Sequence, residues 1–456
     1  ALRGGSATIT ATSNQDGSKT GSAMVTVIPF PADLTKSTVS INASEVMPGE
    51  SATLTVTLVQ PDGTPRTESG GTLTFAASTM GTVSNIVDNE DGTYTATFTA
   101  GGTAGVAVLV AQLDGAPLSQ LTNVTVGEPL FFLADNEVTV ICPDANVGDS
   151  GPIGGKTYTK RGLEDVDGVK GLKTLVTEQS WALLAGTCTT SVTDMRNLFK
   201  NATGFNHDIG SWDTRSVTTM FGMFDEASSF NQDIGAWDIS GVTNLNYVFR
   251  GASAFNKDIS DWETSNVTTM NATFDRASSF NQNLGGVDGW NTASVTDMSY
   301  MFRSASVFNG DISGWDTSSV TSMNSMFSNA KAFNKDLGGV NGWNTASVTD
   351  MSFMFSMASE FNGDISGWET GSVTTMQRMF DQASAFNTNI GGWNTENVTN
   401  MKYMFTNATL FNQDLSGWCV SGISSKPINF DFGTADGFKD VVARQPQWGQ
   451  TESCSP

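Results

Sequence analysis

Residues from about 190 to 425 repeat one 25-residue unit with little change, which leaves the units little choice but to stack on one another. A unit this short cannot bury its own apolar side chains, so each neighbour must supply part of the core. The unit reads Val-Thr-x-Met-x-x-x-Phe-x-x-Ala-x-x-Phe-Asn-x-Asp-Ile-x-x-Trp-Asp-Thr. Its valines stand at Val192, Val217, Val242, Val267, Val295, Val320, Val348, Val373 and Val398, and Ile423 closes the series. The steps ending at Val295 and Val348 are longer. Their additional residues fall just before a tryptophan, at 285–289 and 338–342, and carry Asp288 and Asn341. Insertions confined to one point predict a loop on one face.

Phe199, Phe224, Phe249, Phe274, Phe302, Phe327, Phe355, Phe380 and Phe405 fill one apolar column, and Trp212 through Trp418 fill another. Columns this uniform predict core. The Met-x-x-x-Phe-x-x-Ala-x-x-Phe stretch has helical spacing and predicts a short helix with one face inward. The Val-Thr and Asp-Ile segments are too short for helices and predict parallel strands between coils. The expected architecture is therefore an α/β right-handed solenoid of 25-residue coils.

Polar columns carry the candidate sites. An asparagine column from Asn206 onward predicts a side-chain ladder between coils. Asp208, Asp233, Asp258, Asp311, Asp336, Asp364 and Asp414 form a second row, with Asn283 and Asn389 substituting. Stacked carboxylates repel unless amides or cations intervene. Either they cap backbone N–H groups, or they bind a ligand or calcium between coils. Asp208, Asp233, Asp258, Asp311, Asp336 and Asp364, with Asp288 and Asn341, are the candidate ligand-binding set. Two threonine columns, Thr193 to Thr399 and Thr214 to Thr395, raise ice or mineral-surface binding as an alternative. They lie four residues apart rather than in the Thr-x-Thr arrangement that places both hydroxyls on one strand face.

The flanks differ. Residues 1–28 read as a hairpin around Asn14–Gly17, and 34–127 read as an all-β sandwich of short strands with turns at Pro61–Gly63 and Glu90–Gly92. Residues 128–190 and 426–456 read as caps over the two ends of the array, with a short helix expected at Val176–Ala185. The four cysteines pair naturally by position, Cys142 with Cys188 and Cys419 with Cys454, giving one disulfide per end; buried free thiols are the alternative.

Lys and Arg number 23 against 46 Asp and Glu, a net charge of -23 that disfavours nucleic acid. No run of 18 apolar residues exists, so no membrane insertion is expected of this chain. Nor does it open on a charged-then-apolar stretch, so no signal peptide is expected and secretion is inferred from other features. No Ser/His/Asp set, phosphate loop or metal spacing is present. The one histidine, His207, occupies a variable surface position, so no catalytic residue or cofactor is assigned beyond the open question of calcium.

Asp91-Gly-Thr-Tyr-Thr-Ala-Thr-Phe-Thr-Ala100 resembles the invasin- and intimin-type bacterial immunoglobulin-like domains, and the hairpin at 1–28 resembles the end of another. That resemblance implies stalk modules from a longer surface protein. The repeat, including Ser319-Val-Thr-Ser-Met-Asn-Ser-Met-Phe-Ser-Asn-Ala330, resembles BspA-like leucine-rich-repeat bacterial surface proteins and their mycoplasma lipoprotein branch. The segments Cys142–Gly151, Lys156–Arg161 and Trp418–Ser421 resemble that family's caps. Together the resemblances imply an extracellular adhesin whose stalk presents a leucine-rich-repeat-like solenoid to a protein or glycan. The alternatives to the adhesin are a structural spacer and the ice- or surface-binding solenoid.

Overall fold

A computed structural model describes residues 5–27, 31–76, 78–286, 289–338 and 342–449. The chain divides into two units, residues 1–130 and 131–456.

The first unit is all β. Strands β1 (Gly5–Thr12) and β2 (Thr20–Val27) pair as an antiparallel hairpin. Its Ile9 and Met24 are exposed, as expected of two strands without a second layer. Then follow β3 (Thr38–Ile41), β4 (Glu45–Val46), β5 (Ser51–Thr57), β6 (Leu73–Phe75), β7 (Gly81–Asp88), β8 (Thr93–Ala100), β9 (Gly105–Leu109), β10 (Ala111–Leu113), β11 (Ala116–Pro117) and β12 (Thr122–Val126). They form one sheet of order β3-β5-β8-β7, and two smaller sheets, β4-β12-β9 and β11-β10-β6. Period-two alternation sends Leu54, Val56, Tyr94, Ala96 and Phe98 into one apolar cluster with Ala107, Leu109, Leu113, Val124 and Val126. The Tyr94 hydroxyl donates to the Gly71 carbonyl at 2.7 Å and accepts from the Gly70 N–H, pinning the loop before β6. Strand β7 escapes a reading by pattern. It is largely exposed, and its pairing with β8 shifts register between Ser84 and Val87, so no apolar alternation marks it.

In the second unit a cap precedes the repeats. It holds β13 (Phe132–Leu133), β14 (Val140–Ile141), β15 (Ser150–Ile153), β16 (Lys156–Lys160), α1 (Leu172–Thr177), α2 (Trp181–Ala185) and β17 (Thr187–Cys188). The helix expected over Val176–Ala185 is thus two, broken at Gln179, whose φ is 56°. Cys142 and Cys188 form the expected disulfide. Cys419 is not a free thiol, and Cys454 lies outside the described residues.

The repeats correct the expected fold. Among their described residues there is no helix and no continuous strand, so an α/β leucine-rich-repeat solenoid is not supported; the β pairing between coils is confined to single parallel bridges such as Asp297↔Ser322 and Ser322↔Asp350. The reason lies in where the backbone N–H groups point. Met301, Arg303, Ala305 and Phe308 donate within their coil to Met298, Tyr300, Phe302 and Ala305. The intervening Met298, Tyr300, Phe302 and Ser304 donate outward to Ser322, Asn324, Met326 and Ser328 of the next coil. Alternate donors serve a turn and a neighbour, which neither helix nor strand allows. Left-handed residues at two positions per coil, such as Tyr300 (φ 60°) and Ser304 (φ 59°), produce the alternation. The helical spacing of Met, Phe and Ala is therefore met by a chain of tight turns that presents the same side chains inward.

The columns do form the core. Successive phenylalanines from Phe199 to Phe405 stack at 5.4–5.7 Å between ring centroids, with ring planes within 8° of parallel. Each tryptophan is at most 4% exposed, and its Nε1 donates at 2.8–3.2 Å to a backbone carbonyl of the preceding coil. The asparagine ladder is present too: from Asn231 to Asn412, each backbone N–H donates to the preceding asparagine Oδ1 at 2.7–3.0 Å.

Both ends are closed chemically. At the start, Leu184 of α2 supplies the carbonyl for Trp212 Nε1, and Trp181 packs on Phe205. At the end, α3 (Asp436–Lys439) sets Phe438 edge-on against Phe411, Phe430 lies edge-on to Phe405, and Arg444 Nη1 takes the last ladder oxygen, Asn412 Oδ1, at 2.8 Å. Edge-on rings end a parallel stack without offering another face to continue it.

Candidate functional site

The aspartate row lies along one edge of the stack, and its side chains are already engaged. Asp208, Asp233 and Asp258 accept the N–H two residues on, from Gly210, Gly235 and Ser260. Asp311 and Asp364 accept both the N–H and the hydroxyl of Ser313 and Ser366, which holds their carboxyls below the usual range, as do the Ser416 hydrogen bonds at Asp414. Asp336 accepts the Asp364 N–H at 2.8 Å. Apart from the Asp336 bond, which reaches the next coil, these are local turn caps that satisfy backbone donors. Asp288 and Asn341 lie outside the described residues. Each insertion leaves and returns at one point, closed by Trp290 N–H to Leu284 and Trp343 N–H to Leu337. Asp258, Asp261 and Asn283 line a shallow groove of about 280 Å³ at the foot of the first. Among the described residues no group of three or more His, Cys, Asp or Glu could hold a metal ion.

The two threonine columns part ways. Thr214, Thr264, Thr292, Thr317, Thr345, Thr370 and Thr395 are buried, each donating its hydroxyl to a carbonyl of the next coil at 2.5–2.9 Å. Only the Thr193–Thr399 column reaches solvent, so the paired array that the ice-binding reading requires is not formed.

What sequence reasoning missed is the face made by the four variable positions between the Val-Thr-x-Met start and the alanine. In the first coil these are Arg196, Asn197, Lys200 and Asn201. Seven of the eleven lysines and arginines in residues 191–425 stand there (Arg196, Lys200, Arg250, Arg276, Arg303, Arg378 and Lys402), against four of the 23 acidic residues. The same positions hold Phe221, Tyr247, Tyr300, Phe353 and Tyr403, all half-buried. A strongly acidic array thus carries one basic, aromatic face. The signal was in the sequence, in where the cations fall within the repeat rather than in how many there are.

The face is built from repeated modules. Arg250 Nε and Nη2 grip both oxygens of Asp225 at 2.6 Å, and the guanidinium lies 4.7 Å from the Tyr247 ring. Two coils on, Arg303 grips Asp275 in the same way at 2.9 and 2.6 Å, over Tyr300 at 4.9 Å. Arg378 pairs with Asp381 at 2.8 Å and lies 4.4 Å from Tyr403 and 5.9 Å from Phe353. The three aspartates are buried, while the arginines are partly exposed. Hydrogen bonding to Asp225 and Asp275 raises Arg250 and Arg303 above their already high ordinary value, so both stay charged. At Arg250 and Arg303 one guanidinium edge is fixed and the Nη1 edge is left for an outside acceptor.

The backbone beneath is strained in favour of these side chains. Tyr247, Tyr300, Phe353, Arg378 and Tyr403 have φ between 55° and 61°, where glycine is the least costly residue. Only Gly222 occupies this column as glycine. Bulky side chains at a left-handed position cost on the order of 1 kcal/mol each and are retained where they serve a function.

Fold and face together define a tandem-repeat protein preceded by an all-β module. Residues 178–287, 260–341 and 338–443 match the family model described as "Mycoplasma protein of unknown function, DUF285". These stretches cover more than half of the chain, and the chain belongs to that family. A BspA-like leucine-rich repeat is not confirmed. Residues 33–128 match the model of invasin domain 3, so this module is of the invasin type. No curated protein matches. Similar solved structures include FdeC, an Escherichia coli adhesin (28% identity, covering 29% of this chain and 43% of that one, TM-score 0.24). The Yersinia pseudotuberculosis adhesin InvE is another (29% identity, 23% and 30% covered, TM-score 0.21). Invasin, a bacterial integrin-binding protein, is a third (24% identity, 24% and 22% covered, TM-score 0.22). The chain spans less than half of each.

Proposed function

We propose that the chain is part of a bacterial surface adhesin, with the invasin-type module as stalk and the basic, aromatic face of the repeats as the surface that contacts an extracellular ligand. The observation that carries this reading is the concentration of arginine and aromatic side chains on one face, with Tyr247, Tyr300, Phe353, Arg378 and Tyr403 held there at left-handed positions. Arginine, tyrosine and tryptophan dominate the residues on which protein recognition depends. A spacer needs none of them, and its off-core positions would show no such bias. The invasin domain 3 match supports the stalk and an extracellular location.

The test is adhesion of the full chain to cells and to immobilised matrix proteins and glycans. The triple variant R250A/R303A/R378A should lose about tenfold or more in affinity, since a charge-assisted hydrogen bond is worth about 1.5–3 kcal/mol. Circular dichroism should show the repeats still folded, though less stable for leaving Asp225, Asp275 and Asp381 without these partners. D233A/D258A, on the aspartate edge, should bind as the wild type does. The opposite pattern would refute the assignment of the face.

A further inference from the structure

At the cap end of this face lies a groove of about 820 Å³, between α1, α2 and the first coil. Leu163, Val176, Trp181 and Leu198 contribute its apolar wall, and Lys173, Arg196 and Lys200 its charge. Each cation has a carboxylate partner: Glu164 for Lys173, Asp194 for Arg196 at 2.8 Å, and Asp225 for Lys200 at 3.3 Å. Yet their side chains stay 52%, 61% and 42% exposed, and each keeps donors to spare. Asp194 is the one acidic residue of the lining itself, so the groove wall presents three cations to one carboxylate, with Glu164 and Asp225 set behind it.

Amides are the second distinguishing feature. Along the ladder, Asn206 and its successors spend their oxygens on the next coil. In the groove, the side-chain amides of Gln179, Asn197 and Asn201 are exposed and make no hydrogen bond among the described residues. All three sit at positive φ, 56°, 56° and 62°. Trp181 is only partly buried; it packs on Phe205, with the exposed imidazole of His207 6.2 Å away.

We infer that this groove binds an acidic saccharide, with Trp181 beneath a sugar ring, the amides on its hydroxyls, and Lys173, Arg196 and Lys200 on its carboxylate or sulfate. The combination fits a sugar better than a peptide: an amphipathic aromatic at the base, unspent amides for hydroxyl groups, and cations on a shallow, open rim. The inference rests on the reading of the face as ligand-binding, and names what its cap end recognises.

Isothermal titration calorimetry on the full chain tests it, with sialyllactose, oligogalacturonate, a sulfated chondroitin oligosaccharide and lactose as probes. At least one acidic probe should bind, lactose should not, and affinity should fall as salt rises. Oligogalacturonate against the chondroitin probe separates carboxylate from sulfate recognition. R196A/K200A alters two exposed side chains, so the melting temperature should hold while the affinity drops about tenfold. D233A/D258A, on the aspartate edge, lies outside both the groove and the face and should keep saccharide binding. Equal binding of lactose, no binding of any acidic probe, or indifference to R196A/K200A would overturn the inference. If no probe binds but R250A/R303A/R378A still abolishes adhesion, the groove assignment falls and the face assignment stands.

Discussion

Arg303 holds the buried carboxylate of Asp275, one coil earlier, through both Nε and Nη2 at 2.9 and 2.6 Å, and lays its guanidinium over Tyr300. The pair joins core to surface, since Asp275 fixes where the exposed edge of Arg303 points. Asp275→Ala should therefore weaken ligand binding although Asp275 itself is out of reach, and should cost about 1–3 kcal/mol of stability. Urea denaturation and adhesion measured on the same variant check both effects. Wild-type adhesion would mean that Arg303 needs no positioning.

The strained aromatic positions make a separable prediction. Tyr300→Gly relieves a left-handed residue but forfeits a cation–π contact of about 0.5–1 kcal/mol, so its stability should stay within about 1 kcal/mol of wild type while adhesion falls. Gln382, at φ 61° with an exposed amide, has nothing to forfeit, and Gln382→Gly should gain about 0.5–1 kcal/mol. A loss at Gln382 would contradict the strain argument.

Tryptophans inside the array should behave as core and as hydrogen-bond donors together. Trp315→Ala removes a buried ring and its 2.9 Å bond to the Leu284 carbonyl, and should cost about 3–5 kcal/mol in the unfolding midpoint measured by circular dichroism. A cost below about 1 kcal/mol would show that neighbouring coils close the gap.

The cap disulfide joins residues 46 apart in sequence, and loop-closure entropy assigns such a crosslink about 4 kcal/mol. Replacing Cys142 and Cys188 together by serine should lower the melting temperature and open residues 131–190 to proteolysis before the repeats are cut. Simultaneous cleavage of both would indicate that the cap and the array unfold as one.

Asp213 gives a pH dependence. Burial would raise its pKa, but hydrogen bonds from Arg215 and Thr190 outweigh that and lower it from the ordinary 3.8. A carboxyl depressed in the folded state stabilises above its unfolded value, and that contribution is lost as pH falls through the folded one. Stability near the first coil should thus drop below about pH 4. Asp213→Asn should flatten this part of the profile in acid titrations followed by near-ultraviolet circular dichroism.

Much of this was legible in advance. Phe302, Trp315 and Ala305 occupy invariant columns and are fully or almost fully buried; Cys142 and Cys188 bracket the cap and are joined; Asn206 begins the ladder expected of it. The helix over the Met-Phe-Ala-Phe stretch was not there, because inward side chains at three- and four-residue spacing are equally the product of successive turns. The aspartate edge drew notice for its regularity, and that regularity reflects Asp311 and Asp364 capping their own turns.

By itself, the sequence determined the period, the core columns, the position of the cap crosslink and the place of the insertions, since burial and repetition are written residue by residue. Tertiary structure alone decided that alternate N–H groups bond from coil to coil, that Asp225 and Asp275 lie buried beneath Arg250 and Arg303, and that Trp181 meets Arg196 and Lys200 in one groove. Those relationships join residues one or more coils apart or bridge cap and array, and the left-handed turns that set them leave no mark in the identity of Tyr300 or Phe353.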